Sequence, residues 1–280
     1  MSFQKDRPDF SADLNLNKDM KSIDSPFDEF SRNPWVKILF LPGCLLFAIG
    51  LESFTLVKIV SFGFTHWFHE LGHALFAWLS GRASLPILGL AITSSEKSVF
   101  TAISFLFLIV FMGYSGFRYK SPYLLFIAAS LFIAQFFYTF VSTYDFWEMS
   151  MIYGGVGGEF ILAALVISAS CHRIPEQTYW DLLRFIVVPW SVVSFWQSFS
   201  RWIRILNNEE MIPWGTMWGG ADDSNGDMNR LHSQFDFSRG DLAHAYIVTA
   251  FICCAFIMIN FLWFAWPAII EILRKQKLKS

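Results

Sequence analysis

Residues 66–81 read HWFHELGHALFAWLSG, an apolar stretch that contains three histidines and one glutamate. The apolar residues begin upstream, and the segment Ile59–Ser80 is long enough to cross the hydrocarbon core of a bilayer as one helix. Ionisable side chains at membrane depth are costly, so a cluster of them indicates a functional site. The stretch therefore predicts a membrane helix that carries such a site.

The composition of the chain also favours a membrane location. Of 280 residues, 54% are hydrophobic and 19% are aromatic. Only 16% are charged, against about a quarter in ordinary soluble domains. We therefore expect a multi-pass integral membrane protein in contact with the lipid bilayer. The formal net charge of −2 gives no electrostatic reason to expect a nucleic-acid partner.

Seven apolar segments can span or partly span a membrane as helices. In chain order they are Ile38–Val57, Ile59–Ser80, Val99–Phe117, Pro122–Tyr144, Met149–Cys171, Phe185–Ser200 and Leu242–Ile270. The predicted fold is therefore an all-α integral membrane protein, a bundle of about seven transmembrane or partly spanning helices. Lysine and arginine residues after the last segment favour a cytoplasmic carboxyl end. Seven crossings would then put the amino end outside. A segment that crosses only partly would change the number of crossings, so the sequence leaves the topology open.

The chain divides into a short polar part and a long apolar part. Residues 1–35 contain five basic and seven acidic side chains with scattered Pro, Ser and Asn, which predicts a flexible polar tail without a cleaved signal peptide. Residues 36–280 are predicted to form the membrane domain. Within it, residues 201–241 form one long polar connection, and the Trp and Gly content of this connection argues against disorder.

The segment Leu85–Ser95, LPILGLAITSS, is too short to cross a membrane as a helix. Pro86, Gly89 and the β-branched pair Ile92 and Thr93 favour a short strand or a re-entrant loop. Such backbone is tolerated at membrane depth only where it is buried in protein or lines a water-filled cavity. We therefore expect this segment to form a wall or gate of a cavity.

His69 and His73 are four residues apart, so on a helix their side chains share one face and can hold one ion. Glu70 follows the first histidine and can act as a general base towards an ion-bound water. Zinc suits this H-E-x-x-H arrangement because it accepts two imidazoles and a carboxylate and leaves a fourth position for water. The alternative is a set of polar side chains satisfied by neighbouring helices, but the membrane context favours a zinc site.

The sequence HELGHALFAWLSG resembles the zinc-binding helix of the site-2 protease family of intramembrane metalloproteases. Members typically show H-E-x-G-H followed by small and apolar residues and a glycine several positions on. Beyond the histidines and the glutamate, the local match includes Gly72, Ala74, Leu75 and Gly81. The similarity covers about twenty residues of the chain. The resemblance implies that His69 and His73 bind zinc, that Glu70 is the catalytic base, and that an aspartate from a later membrane segment is the third ligand.

The third ligand has no obvious position, because the L-D-G sequence that commonly carries it in the family is absent here. The candidate carboxylates are Asp145, Glu148, Glu159, Asp222, Asp223 and Asp227. We favour Asp227 because GDMNRL begins a segment with apolar periodicity, and because Asn229 and Arg230 are suited to hold a ligating carboxylate. Asp227 is also typical of a helix start. Glu159 stays open as the alternative ligand, a proton-relay group or a residue stabilised by a helix dipole.

Two neighbouring features also have more than one interpretation. Gly154 and Gly158 have the spacing that lets two helices approach closely, or else they belong to a flexible wall beside a substrate. His66 lies one turn before His69, and three histidines at this spacing do not converge on one ion. We interpret His66 as a residue that supports the site, a substrate contact or a core histidine.

Together these features predict an intramembrane zinc metalloprotease that hydrolyses a peptide bond in or near the membrane helix of a partner protein. The partner, a membrane protein with a transmembrane helix, is implied by the family resemblance. The alternative is a non-catalytic metal-binding membrane protein, such as a chaperone, a receptor or an ion-handling protein, that retains the zinc helix. The intact Glu70 favours the enzyme, because a structural zinc site needs no base beside its first ligand.

Overall fold

The computed structural model describes residues 33–51, 54–87, 89–172, 174, 180–216, 219–220 and 223–278, so most of the predicted tail lies outside it. The described residues form eight α-helices and one two-stranded sheet. In chain order these are α1 (Pro34–Leu51), α2 (Thr55–Leu79), β1 (Arg82–Ile87), β2 (Leu90–Lys97), α3 (Val99–Arg118), α4 (Pro122–Phe136), α5 (Tyr144–Ala169), α6 (Trp180–Asn207), α7 (Asp227–Phe235) and α8 (Arg239–Lys277). A π-helical turn, Phe137–Val141, extends α4, and a 3₁₀ turn, Glu209–Met211, follows α6.

Five of the described helices are long and apolar enough to cross a membrane, namely α1, α3, α4 with its π-helical extension, α5 and α8. The long helices α2 and α6 fall outside this group, and both contribute polar side chains to the site described below. Each of the seven predicted apolar segments is mainly helical over its described residues. The largely helical class of the fold is therefore confirmed.

Several boundaries differ from the prediction. The first predicted segment, Ile38–Val57, covers parts of two helices, because α1 ends at Leu51 and α2 begins at Thr55. Helices α6 and α8 run for 28 and 39 residues and extend beyond their predicted ends. Within the predicted connection 201–241, α6 continues through Asn207, α7 follows at Asp227–Phe235, and α8 begins at Arg239.

The segment predicted as a strand or loop forms a β-hairpin, which adds two paired strands to the predicted all-α bundle. Ser84 lies opposite Thr93 and Leu85 opposite Ile92 in the antiparallel register. The hydroxyl groups of Ser84 and Thr93 are hydrogen-bonded at 2.8 Å, whereas Leu85 and Ile92 are exposed. The face with apolar side chains is thus the outer one, the reverse of the usual pattern for a sheet in water.

The base of the hairpin is fixed to two helices. The guanidinium of Arg82 lies 3.7 Å from the ring centroid of Trp147 in α5. Lys97 Nζ donates a hydrogen bond of 2.6 Å to Thr139 O in the π-helical turn. These contacts hold the two ends of the hairpin, and its turn at Gly89 reaches the cavity described below.

Helices α2 and α5 pack with their backbones in contact. Gly72 of α2 faces Gly154 and Gly158 of α5, and a Cβ atom at Gly158 would lie 2.5 Å from Gly72 Cα and 2.7 Å from Phe68 O. Small residues permit this approach, and close van der Waals packing stabilises helix contacts in an apolar solvent. The close-packing interpretation of Gly154 and Gly158 is confirmed. This crossing positions the site.

Candidate metal centre

Three side chains meet beside the crossing of α2 and α5. His69 and His73 lie one turn apart on α2, and Asp227 is the first residue of α7. Asp227 Oδ2 lies 3.0 Å from His69 Nε2 and 3.2 Å from His73 Nε2. The structure thus brings the two predicted histidines together with the favoured third residue.

The spacing of these atoms fits a zinc ion. Two ligands about 2.0–2.1 Å from a tetrahedral zinc lie about 3.3 Å apart, close to the 3.0 and 3.2 Å that separate Asp227 Oδ2 from the two imidazole nitrogens. Two histidines and one aspartate leave a fourth position for water. Gly155 keeps this region free of side-chain atoms, because a Cβ atom there would lie 2.6 Å from His73 Nε2 and 2.7 Å from His69 Nε2.

Each imidazole is also held through its other nitrogen. His69 Nδ1 lies 2.9 Å from Glu159 Oε1, and His73 Nδ1 lies 2.7 Å from Met151 O. Each oxygen can accept a hydrogen bond from Nδ1–H, and a neutral ring with its proton on Nδ1 has its Nε2 lone pair available to a metal. Glu159, the alternative ligand, contacts the far nitrogen of His69 and lies outside the ligand group found among the described residues.

The position of Asp227 is set by the contacts of its helix. Gly215 N donates a hydrogen bond of 2.5 Å to Asn229 Oδ1, which ties the preceding loop to α7. Arg230 forms an ion pair with Glu148 of α5. Asn229 and Arg230, predicted to support Asp227, are therefore seen to hold the loop and the helix that carry it.

The charge of Asp227 suits a metal ligand. Burial raises the pKa of this carboxyl group. While no cation is bound, however, protonated His73 and His69 face it with positive charge and donate hydrogen bonds from Nε2, and together these effects hold the pKa well below its ordinary value. The carboxylate is therefore anionic at neutral pH. This is the protonation state in which a carboxylate binds a cation.

Glu70 is buried on the same helix and lines the same cavity as the histidines. Its Oε1 lies 3.2 Å from His66 Nε2. The ring of His66 stacks between those of Phe62 and His69, with centroids 5.3 and 5.5 Å away. His66 therefore contacts both the predicted base and the first predicted ligand, and it does not join the ligand group.

A cavity of about 450 Å³ lies beside these side chains. Helices α2, α5 and α6, strand β2 and the loop before α7 form its walls. Its lining includes His69, Glu70, Glu159, Arg201, Asp227, Leu90, Ala91 and Thr93. The predicted position of the LPILGLAITSS segment beside a cavity is thus confirmed. Ionisable groups line one side of the cavity and strand residues line another.

The remaining carboxylate candidates lie elsewhere. Asp145 is exposed in the first turn of α5, and Glu148 pairs with an arginine of α7. Asp223 accepts a hydrogen bond of 2.6 Å from Thr216 Oγ1. Asp222 lies outside the described residues. Glu148 and Asp223 therefore have structural partners, and none of the three described carboxylates belongs to the ligand group.

Two residues of the site were not predicted. Ser198 of α6 donates a hydrogen bond to Glu159 Oε2, and Gly155 faces both metal-facing nitrogens. Serine is common in α6, so Ser198 has no distinguishing sequence signal. Gly155 does have one, because it precedes Glu159 by four residues and therefore shares its helix face.

No protein-family model matches this chain, and no match is found among curated proteins or solved structures. The similarity to site-2 proteases is therefore a resemblance of the motif and its immediate neighbours. The functional conclusion depends on the geometry of the site.

Proposed function

We propose that this chain is a membrane-embedded zinc metalloprotease with His69, His73 and Asp227 as zinc ligands and Glu70 as the general base. One observation carries the proposal. Two imidazole Nε2 atoms converge on one carboxylate oxygen, at 3.0 and 3.2 Å, beside a cavity that Glu70 also lines. The resemblance of the α2 sequence to the site-2 protease helix supports the same conclusion.

The surface of the helices supports a membrane location. Large apolar side chains such as Phe107 of α3 and Trp263 of α8 are exposed along the helices. Extended apolar surface is rare on soluble monomers, whereas a bilayer solvates it. Glu70 and Glu159 lie between helices, where membrane proteins keep ionisable groups.

The side chains of the centre have separate roles in this proposal. Bound zinc would supply Lewis acidity and lower the pKa of water towards about 7. His69 and His73 are neutral donors, and Asp227 is an anionic donor. Glu70 accepts a proton from the attacking water and returns it to the leaving amine. His66 Nε2 lies 3.2 Å from Glu70 Oε1 and is the imidazole nearest to the proposed base on the side of Phe62.

The cavity suits an extended peptide. A helical substrate keeps its carbonyl groups in intrahelical hydrogen bonds, so hydrolysis requires local unwinding. Strand β2 pairs with β1 alone within the described residues, and part of β2 lines the cavity. Extended peptides bind open strand edges through main-chain hydrogen bonds. The proposed substrate is therefore a partner membrane protein, cut where its membrane helix is unwound.

Elemental analysis of the full chain in detergent tests the metal site. We expect about one zinc per chain in the wild type, and loss of zinc in His69→Ala, His73→Ala and Asp227→Asn. His244→Ala and Asp236→Asn are matched controls, because these residues lie on α8 and at the end of α7, outside the ligand group. A folded wild type without zinc, or a zinc-loaded Asp227→Asn variant, would contradict the assigned ligands.

Cleavage of a single-span fusion protein with a Gly-Pro pair in its membrane helix tests the reaction. We expect Glu70→Gln to retain zinc and to reduce cleavage by a factor of at least about 10². Glu271→Gln is the control, since Glu271 forms an exposed pair with Lys275. Cleavage that persists in Glu70→Gln would exclude Glu70 as the base. Stoichiometric zinc without cleavage would favour the non-catalytic alternative.

A further inference from the structure

Glu159 is a buried carboxylate of α5, 3% exposed, with a different partner for each oxygen. Oε1 lies 2.9 Å from His69 Nδ1, and Oε2 accepts a hydrogen bond from the Ser198 hydroxyl. Arg201, three residues after Ser198 on α6, lines the same cavity, and its positive charge acts on Glu159. A buried carboxylate is costly unless it is paired and hydrogen-bonded. Of these partners, His69 and Arg201 line the cavity of the candidate metal centre.

His69 lies between two carboxylates. Its Nε2 faces Asp227 at 3.0 Å and its Nδ1 faces Glu159 at 2.9 Å. A ligating imidazole is neutral and has its lone pair on the metal-facing nitrogen, so its proton must be on the other nitrogen. A carboxylate at Nδ1 accepts that proton in a hydrogen bond. Glu159 therefore favours the tautomer that His69 needs as a ligand.

The two histidines differ in the oxygen that faces Nδ1. His73 Nδ1 faces the neutral carbonyl oxygen of Met151, whereas His69 Nδ1 faces an anionic carboxylate. Hydrogen bonds to an ionised acceptor are stronger than those to a neutral one, and they raise the basicity of the ring. The ligand strength of His69 should therefore depend on a side chain, while that of His73 depends on the backbone.

The arrangement of α5 matches the shape of the His69 ring. Gly155 and Glu159 are four residues apart and share one face of the helix. Gly155 leaves space beside the metal-facing nitrogen, and Glu159 contacts the opposite nitrogen. One helix face is thus complementary to both sides of the imidazole.

We infer that Glu159 is a positioning residue that fixes the tautomer and orientation of His69 as a zinc ligand, and that Ser198 fixes Glu159 in turn. This inference rests on the proposed zinc site. It gives Glu159 a role distinct from those of the third ligand and the general base. It also makes α6 part of the metal centre through a serine hydroxyl.

Zinc affinity of the full chain in detergent, measured by competition with a chromophoric chelator, tests the inference. Glu159→Gln keeps an acceptor oxygen and loses the charge, so we expect zinc to bind about tenfold more weakly. Glu159→Leu removes the acceptor oxygen and the charge, and we expect zinc affinity to fall about 100-fold. Ser198→Ala removes one hydrogen bond and should weaken zinc about threefold. Ser191→Ala is the matched control, because Ser191 is equally buried on α6 and its hydroxyl bonds within its own helix.

Cobalt provides a readout that a merely structural ion pair would not change. The visible spectrum of bound Co²⁺ reports the geometry and basicity of its ligands. We expect the spectrum to change in Glu159→Gln and Glu159→Leu and to stay unchanged in Ser191→Ala. A structural pair between α2 and α5 would instead lower the melting temperature and leave the zinc affinity and the cobalt spectrum unchanged.

The outcomes separate this inference from the proposed function. If Glu159→Gln and Ser198→Ala bind zinc with wild-type affinity while His69→Ala loses it, the zinc site stands and the positioning role is wrong. If the folded wild type binds no zinc, both are wrong. If the Glu159 variants do not fold, Ser198→Ala still tests the inference, because it removes one hydrogen bond and leaves the Glu159 carboxylate in place.

Discussion

Helices α5 and α3 are both long and apolar enough to cross a membrane, yet their surroundings differ. In the apolar 18-residue stretch of α5, 67% of the residues are buried, against 11% in the corresponding stretch of α3. The buried residues of α5 include four glycines and Glu159, whereas α3 presents mainly exposed Phe, Leu, Ile and Val side chains. Hydropathy therefore identifies both helices as apolar, but small and polar residues identify the one that faces the rest of the protein.

The crossings of the two helices differ in the same way. At the α2–α5 crossing the backbones of Gly72 and Gly158 are in contact. In the α3–α4 pair, a Cβ atom at Gly113 would lie 3.6 Å from the Cβ of Ala128, an ordinary contact. We therefore expect an alanine substitution to be costly at Gly158 and tolerated at Gly113.

The largest effect on stability is expected from truncation of a phenylalanine. Phe160 of α5 is 0% exposed and contacts Phe195 edge to face, whereas Phe107 of α3 is 68% exposed. In water-soluble cores Phe→Ala costs about 3–5 kcal/mol. Lipid solvates an exposed ring as well as a core does, so we expect about 2–4 kcal/mol for Phe160→Ala, mainly from the cavity. Phe107→Ala should change the free energy of unfolding by less than about 0.5 kcal/mol.

Unfolding in mixed detergent micelles, followed as the fraction of a denaturing detergent rises, measures this difference. Gly43→Ala serves as a neutral reference, because a Cβ atom at this position of α1 would have no neighbour within 4 Å. Equal destabilisation by the two phenylalanine variants would show that α3 is buried against protein, and the contrast between the helices would be wrong.

The next effect concerns the glycines. A Cβ atom at Gly158 would meet the backbone of Gly72, which cannot rotate away as a side chain would. Overpacking typically costs about 1–3 kcal/mol, and we expect Gly158→Ala to fall in this range and to weaken zinc binding by moving His69 and His73. Gly113→Ala should leave stability unchanged or slightly raised, because alanine favours the helix. Wild-type zinc affinity in a destabilised Gly158→Ala variant would uncouple the crossing from the metal centre.

The fold was predictable to the extent that it depends on composition. Long apolar runs gave the positions of seven helices, but not the break between Leu51 and Thr55, because apolar residues continue on both sides of it. In the polar segment after α6 the sequence indicated a helix start at Asp227 but not the extent of α7, a nine-residue helix stabilised by tertiary contacts such as the Arg230–Glu148 pair. Short helices of this kind have little stability of their own.

The candidate site shows the same limit. His69, Glu70 and His73 were identified from spacing on one helix, and Asp227 from its local sequence. The position of Glu159 required the tertiary structure, because its contact with His69 joins residues 90 apart in the chain. Sequence shows that a carboxylate lies in or near a long apolar helix. It does not show which nitrogen of an imidazole that carboxylate faces, and this distinction separates a ligand from a positioning residue.

The smallest effect concerns polar contacts between helices. Between α3 and α4, Gln135 of α4 donates a hydrogen bond of 2.8 Å to Ala102 O of α3. Beside the site, Gln197 of α6 donates to Ser61 Oγ of α2 at 2.5 Å and accepts from Thr65 Oγ1 at 3.4 Å. The first glutamine has one interhelical bond and the second has two, so they provide a matched pair of substitutions.

Hydrogen bonds between membrane helices contribute about 0.6 kcal/mol on average, because polar groups also find partners in the unfolded state. Gln135→Leu should therefore lower the free energy of unfolding by about 0.6 kcal/mol and leave zinc affinity unchanged. Gln197→Leu should cost about 1–2 kcal/mol, since it removes the hydrogen bond to Ser61 Oγ and the longer one from Thr65 Oγ1. If both variants lose the same free energy of unfolding in the micelle assay, the polar groups beside the site are held no more tightly than those between α3 and α4. The polar contacts between α2 and α6 would then contribute no more to stability than the single hydrogen bond between α3 and α4.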